Sequence, residues 1–301
     1  MLRENYRQGS LLRGVNAFLT TPVAPVVLVL IGSLGTQTSS VIVTDLLTSI
    51  GAPAVSGLRM AIAAAIMFVL FRPSFVGISR DRAANIIVYG IAIAMMNVLV
   101  FQAIARLPQG VAVTLDFMGP CVVSFLGLKL WRSRLWALAA FVGVVLIARP
   151  SNNLDPVGVG FGIAAGVFFA LYTVFSARVG SMEGGGIKDL TFSVAIAAIV
   201  LSPFSIRTAP LIDGSVWAVI AISGFIGAVV PFVMDTIAAG IVSAAVVGTL
   251  FALDPVLGAI LGWVFSGDRL TASMFGGIML IAAAGAVITW RGAKEDTGDC
   301  G

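Results

Sequence analysis

Apolar residues run through this chain in long blocks, at roughly 26–44, 54–71, 84–105, 110–128, 134–149, 157–178, 190–206, 215–236, 241–265 and 272–290. A helix rises 1.5 Å per residue, so blocks of about 17–24 residues cross a hydrocarbon layer ~30 Å thick. Between them stand residues that break helices or tolerate water: Gly51-Ala52-Pro53, Arg72-Pro73, Leu107-Pro108-Gln109-Gly110, Arg149-Pro150-Ser151-Asn152-Asn153 and Gly184-Gly185-Gly186. The pattern predicts an all-α membrane protein with ten transmembrane helices.

The charges orient those helices. Thirteen Lys and Arg residues fall in the segments that would face inward if both termini are cytoplasmic: Arg3, Arg7, Arg13, Arg72, Arg80, Arg82, Lys129, Arg132, Arg134, Arg178, Lys188, Arg291 and Lys294. Four (Arg106, Arg149, Arg207 and Arg269) fall in the outward segments, and Arg59 lies within a span. This asymmetry follows the positive-inside rule. Residues 1–22 then read as a cytoplasmic leader and 293–301 as a cytoplasmic tail. The basic clusters are scattered between apolar runs and gather on no single face, which argues against nucleic acid as a partner. The lipid bilayer is the expected one.

Composition narrows the chemistry. Only 11% of the residues are charged and 59% are hydrophobic, so lipid must be the solvent for much of the surface. The chain has no histidine, which removes imidazole from every mechanism, and two cysteines make neither a disulfide framework nor a metal cluster. Proton handling falls to carboxylates, and no cofactor or metal is called for.

Two stretches repeat at one offset. Thr114-Leu115, Pro120, Leu126-Gly127 and Arg134-Leu135 match Thr249-Leu250, Pro255, Leu261-Gly262 and Arg269-Leu270, each 135 residues later. The match superposes the fourth span on the ninth and divides the chain into residues 23–150 and 151–292. Five spans per unit is an odd number, so the second copy must enter from the opposite side. Two inverted five-helix repeats are a common transporter architecture, with the site near the midplane between them.

An ionised side chain at the centre of a membrane helix costs about 2.5–3.5 kcal/mol on insertion scales, so each one needs a reason. Asp116 lies in the fourth span and Asp254 in the ninth. Pro120 and Pro255 kink these helices and are expected to free the carbonyls of Asp116 and Phe251. Both aspartates are candidate substrate or proton sites; a structural carboxylate tying helices together is the other reading. Arg59 either meets a substrate carboxylate or one of these aspartates, or snorkels to the outer interface; the sequence leaves both open. Gln37 among Thr36, Thr38 and Ser39, Asn97 and Gln102 in the third span, and Tyr172-Thr173 in the sixth would line a polar cavity. Asp235 is expected near the cytoplasmic end of the eighth span, as a gate or interface residue, and Asp268 in an outer loop. Gly158, Gly162 and Gly166 recur every four residues, which fits close helix packing better than a nucleotide fingerprint.

Further residues carry a family resemblance. Gly51-Ala52-Pro53, Val55-Ser56 and Leu58-Arg59-Met60-Ala61 resemble the second-span signature of the drug/metabolite transporter superfamily, EamA-domain type. Tyr89-Gly90, Met96-Asn97, Phe101, Ala103-Ile104, Leu107-Pro108, Asp116-Phe117 and Gly119-Pro120 are similar to the bacterial threonine/homoserine exporter branch. In the second half, Pro231-Phe232, Asp235, Gly248-Thr249-Leu250, Asp254-Pro255 and Gly267-Asp268 extend it. The resemblance implies a multi-pass protein of the bacterial plasma membrane that exports an amino-acid-like solute against a coupling proton, and it allows a homodimer. Aspartates at 116, 235, 254 and 268 stand where that branch is expected to carry glutamates, which shortens each carboxylate by one methylene. A carrier of another small metabolite or drug, an intramembrane aspartyl enzyme and a passive channel or scaffold are the competing readings. The paired motifs of the enzyme are missing around Asp116 and Asp254.

Overall fold

The computed structural model describes residues 18–74, 78–107, 109–128, 130–148, 154–182, 185–257, 260 and 271–298. Most of the leader, Trp263, Asp268 and the second copy's Leu261-Gly262 and Arg269-Leu270 lie outside the described residues. The described residues are all-helical. In chain order the helices are α1 (Ala24–Leu46), α2 (Ala52–Phe71), α3 (Arg80–Ile104), α4 (Gln109–Gly127), α5 (Trp131–Ala148), α6 (Pro156–Gly180), α7 (Ile187–Thr208), α8 (Gly214–Gly224), α9 (Val230–Ile241), α10 (Ala244–Leu250) and α11 (Ala272–Gly298). Five helical stretches among the described residues are long and apolar enough to cross a membrane: Ala24–Phe71, Arg80–Ile104, Pro156–Gly180, Ile187–Leu211 and Gly214–Ile241. Shorter apolar helices cover Val111–Gly127, Ala244–Leu257 and Phe275–Ile288.

The helix ends follow from local chemistry. Ser79, Asp155, Asp213 and Ser243 each cap a helix by accepting a hydrogen bond from a backbone N–H two or three residues on. The stretch Ala24–Phe71 folds back on itself. Leu47–Gly51 forms a π turn, Gly51 takes a positive φ of 88°, and Pro53 opens α2 where no N–H is needed. The reversal brings the Arg59 guanidinium within 2.8 Å of the Ser39 hydroxyl, whereas an uninterrupted helix would hold residues 20 apart about 30 Å from each other.

The packing is that of a protein in lipid. Large apolar side chains such as Val69, Leu126, Ile199 and Ile206 point outward, while Ser39, Thr173, Ser193 and Ser223 are fully buried. With no water at that depth, every polar group must find its partner inside the bundle. α3 packs on α6 and α7, α2 on α7, α5 on α11, α4 on α6 and α10, and α1 on α9. Glycine makes the α4–α6 crossing possible: a Cβ at Gly119 would run into the Gly166 carbonyl, and one at Gly166 would stand 2.7 Å from the Leu115 carbonyl oxygen. The four-residue glycine spacing in α6 is thus used for close backbone approach.

Irregular backbone occurs in two further places. Phe225–Val229 forms a π turn between α8 and α9, and the chain leaves helical geometry at Phe251-Ala252, just ahead of Asp254-Pro255. Both border the interior cavity, through Gly227 in the first and Phe251 in the second.

Candidate functional site

The cavity has a volume of about 100 Å³. That is roughly seven times the ~15 Å³ one water needs, room for a small solute. Elements from both ends of the sequence build it. α1 contributes Gln37, α2 Arg59, α3 Asn97, α4 Asp116, α6 Tyr172, α9 Asp235, and the break after α10 Asp254 and Pro255. Residues that the sequence scatters over more than two hundred positions therefore share one chamber.

Arg59 is 2% exposed and does not reach the interface. Its Nη2 donates to the Ser39 hydroxyl at 2.8 Å and to the Gly227 carbonyl at 2.9 Å, and its guanidinium lies over the Phe101 ring at 5.0 Å. Ser39 in turn bonds Ser223, hydroxyl to hydroxyl, at 2.7 Å. The carbonyl of Gly227 belongs to the π turn, and glycine is required there because a Cβ would collide with Ser39 and stand 2.6 Å from Arg59 Nη2. Neither sequence-based alternative for Arg59 anticipates this arrangement, in which a buried guanidinium is held by neutral groups. Among the described residues its Nε has no partner.

Asp116 is the counterpart. Its Oδ1 is buried and also lacks a partner among the described residues. Asp254 lies within electrostatic range of both Asp116 and Asp235, and its carboxylate takes a hydrogen bond from Ser33. Asp235 accepts a 2.8 Å hydrogen bond from the Tyr172 hydroxyl. Tyr172 stacks obliquely on Tyr89, 5.4 Å between centroids, and the Tyr89 hydroxyl meets Thr236 Oγ1 at 3.1 Å. The same wall is aromatic: the Tyr172 ring also lies 5.7 Å from Phe169, 6.0 Å from Phe251 and 5.9 Å from Phe232, and Phe169 and Phe251 lie 5.1 Å apart.

The prolines act differently from the expectation. Pro255 breaks the helix, but the Phe251 carbonyl is not left free, because the Asp254 N–H turns back onto it at 3.0 Å. The exposed acceptor is instead the carbonyl of Asp254, which receives Gln37 Nε2 at 2.9 Å. Pro120 stays inside a continuous α4 and does not line the cavity. The Asp116 carbonyl it releases faces Gly166 at the α4–α6 crossing, where a Cβ would come within 3.2 Å. Its role is in packing.

Two other placements need correcting. Gln102 is not in the cavity; its side chain accepts from Arg106 at 2.7 Å on the exposed side of α3. Asp235 is a wall of the cavity rather than an interfacial residue, since its helix continues to Ile241. Asn97 does line the cavity, although its side-chain amide donates to the Ile93 carbonyl of its own helix at 3.1 Å. Ser33, Tyr89, Ser223 and Gly227 are additional contributors. Gly227 and Ser223 carry no signal in the sequence, and Tyr89 offers only a buried hydroxyl in need of a partner.

Residues 156–290 match the EamA-like transporter family. The chain is 25% identical over 278 residues to the threonine/homoserine exporter RhtA of Escherichia coli K12, covering 89% of this chain and 92% of that one. RhtA of Salmonella typhimurium aligns with the same identity and coverage. The pseudopaline exporter CntI of Pseudomonas aeruginosa is 26% identical over 272 residues, covering 86% and 93%. A chain of a solved crystal structure, 18% identical, superposes with a TM-score of 0.72 over 91% of this chain and 99% of its own length. The fold is thus one seen before, residues 156–290 match the EamA-like transporter family, and the chain is similar to the RhtA exporters along nearly its whole length.

Proposed function

We propose that the protein is a secondary active exporter of a small amino-acid-like solute, working by proton antiport in the bacterial inner membrane. The observation that carries this reading is the pair of unfilled valences in one cavity: Arg59 Nε and Asp116 Oδ1. A buried polar atom without a partner costs about 1–3 kcal/mol, more when charged. A zwitterion relieves both at once, its carboxylate on the guanidinium and its ammonium on the aspartate. Charge balance supports proton coupling. Three carboxyl groups share the cavity with one guanidinium, and the remaining negative charge must be met by protons or by a cationic solute.

The packing supports ten crossings in two inverted halves, both termini cytoplasmic. Exchanging α1 with α6, α2 with α7, α3 with α8–α9, α4 with α10 and α5 with α11 maps part of the packing onto itself: α2–α7, α4–α10 and α5–α11 are kept and α3–α6 goes onto α1–α9, whereas the close α4–α6 crossing has only a slight counterpart in α1–α10. The relatives RhtA and CntI, exporters by name, support the direction of transport. CntI, a pseudopaline exporter by name, and the aromatic wall of Phe169, Phe251 and Phe232 favour one second reading, a metabolite other than threonine or homoserine, with an apolar part.

The test is counterflow of radiolabelled threonine, homoserine and a wider amino-acid panel in proteoliposomes, with and without an imposed ΔpH. Exchange that an inward proton gradient accelerates is expected, and Asp116→Asn should abolish it in properly folded protein. No exchange of any amino acid would overturn the substrate class. Normal pH-driven transport by both Asp116→Asn and Asp254→Asn would overturn the site.

A further inference from the structure

The carboxylates in the cavity are not equivalent. Asp116 has an unfilled valence, whereas Asp235 is already engaged by the protein, through Tyr172 at 2.8 Å. We propose that Asp235, held by Tyr172, is the site that carries the coupling proton, and that it is separate from the Arg59–Asp116 pair that takes the solute. This rests on the exporter reading above and divides its cavity into two jobs.

The partner's chemistry is what distinguishes the two. An arginine beside Asp235 would fix it as an anion, and among the described residues no Lys or Arg forms an ion pair with it. A tyrosine hydroxyl both donates and accepts. It can donate to the carboxylate and, after the carboxyl gains a proton, keep donating to the carbonyl oxygen or turn to accept. The pair is therefore satisfied in either charge state, and neither state leaves an orphaned buried group. The hydroxyl also has company: Tyr172 lies against Tyr89, whose own hydroxyl is anchored on Thr236, next to Asp235 in α9. Both rings are essentially fully buried.

Space on the other side of the carboxylate is equally specific. Asp235 Oδ1 lies against Gly32 of α1, where a Cβ would come within 3.1 Å. The groups facing Asp235 are thus Gly32 from α1, Tyr172 from α6 and, at longer range, Tyr89 from α3 and Asp254 from the break after α10, with Arg59 and Asp116 in the same cavity. Asp254 lies in range of Asp116 as well. A proton arriving on Asp235 alters the field at Asp254 and through it the solute's aspartate, which is a route for coupling without a shared ligand. The cycle balances: one proton from external water converts the Asp235 carboxylate to the acid, and the same proton leaves to cytoplasmic water when the cavity opens inward.

The test uses the purified full chain. In proteoliposomes with threonine as the probe, the ratio of ΔpH-driven efflux to undriven counterflow is measured for wild type, Asp235→Asn and Tyr172→Phe. Asp235→Asn should reduce the ratio to unity, and Tyr172→Phe should shift the pH midpoint of exchange while keeping a ratio above unity. A wild-type ratio in Asp235→Asn overturns the proposal. So does loss of all exchange in Asp235→Asn with its thermal unfolding unchanged, because Asp235 would then belong to solute binding. Independently of any solute, the pH-difference infrared spectrum of the wild type should contain a buried carboxylic-acid band that Asp235→Asn deletes. Persistence of that band overturns the assignment, even if threonine is not exchanged and the exporter reading itself has failed.

Discussion

Three glycines of α6 offer an internally controlled test of how the helices meet. Gly160 is exposed, and a Cβ added there would have nothing within 4 Å; at Gly162 a Cβ would stand 2.7 Å from the Leu115 side-chain terminus; at Gly166 it would stand 2.7 Å from the Leu115 carbonyl oxygen and 3.2 Å from that of Asp116. Replacing each by alanine adds the same helix-propensity gain, about 1 kcal/mol, so that gain cancels in comparisons among the three. What remains is contact. The Leu115 methyl can rotate away but Leu115 Cβ, 2.9 Å from a Cβ at Gly162, and the backbone carbonyls at Gly166 cannot, and overpacking that moves backbone costs roughly 1–3 kcal/mol. Gly166→Ala and Gly162→Ala should therefore each be about 1–3 kcal/mol less stable than Gly160→Ala. Reversible unfolding in mixed micelles, by denaturing-detergent titration followed by circular dichroism, reads these differences. Gly166→Ala should also weaken exchange beyond what its stability explains, because the Asp116 backbone moves with the crossing. Equal stabilities for Gly160→Ala and Gly166→Ala, within ~0.5 kcal/mol, would refute the close α4–α6 approach.

Further outcomes follow from other contacts. Arg59→Lys removes Nε, the atom proposed to meet the solute carboxylate, and a charge-assisted bond is worth about 1.5–3 kcal/mol; KM for exchange should rise roughly ten- to a hundredfold, and an unchanged KM would remove Arg59 from the solute site. Arg82→Ala leaves the fully buried Asp189 without its two 2.7 Å bonds; since Arg82 is itself 21% exposed, the loss should be about 2–3 kcal/mol in micelle unfolding, partly recovered by adding Asp189→Asn. At the solvent-exposed cap of α8, the Val216 N–H and the Ser215 hydroxyl hold the Asp213 carboxyl below the usual aspartate range. A depressed folded value stabilises above the ordinary aspartate range and is lost as pH falls through it, so thermal unfolding of Asp213→Asn should show less acid-side decline than wild type.

How far the sequence reaches is set by what kind of signal each residue leaves. Asp116, Asp254 and Arg59 stand out because charge inside an apolar run is costly wherever the helix points. Gln102 cannot be placed the same way. It follows Asn97 by five residues, about 140° further round a helix, so a cavity facing Asn97 excludes it. Asp235 reads as interfacial because the apolar run closes near 236, whereas the helix ends at Ile241; five residues shift a side chain by about 7.5 Å along the axis, from interface to cavity. Of the two π turns, Leu47–Gly51 ends on the Gly51-Ala52-Pro53 break, whereas Phe225–Val229 has no compositional signature at all. Without the second, the partner of Arg59 is invisible, since it is a backbone carbonyl of Gly227 and not a side chain.

Backbone acceptors of this kind recur around the cavity. Irregular backbone survives at membrane depth only where protein or a cavity satisfies its freed groups. Here the π turn presents Gly227 O to Arg59, and the break at Pro255 presents Asp254 O to Gln37. In both cases the donor is a side chain from the first two helices and the acceptor is main chain from beyond residue 220. A main-chain acceptor depends on no side-chain rotamer and is present whatever residue stands at that position. Side-chain-to-side-chain ion pairs in the same places would hold one register rigidly. Alternating access, which the exporter reading requires, is compatible with these two side-chain-to-carbonyl bonds, which lie where the first two helices meet the broken ones.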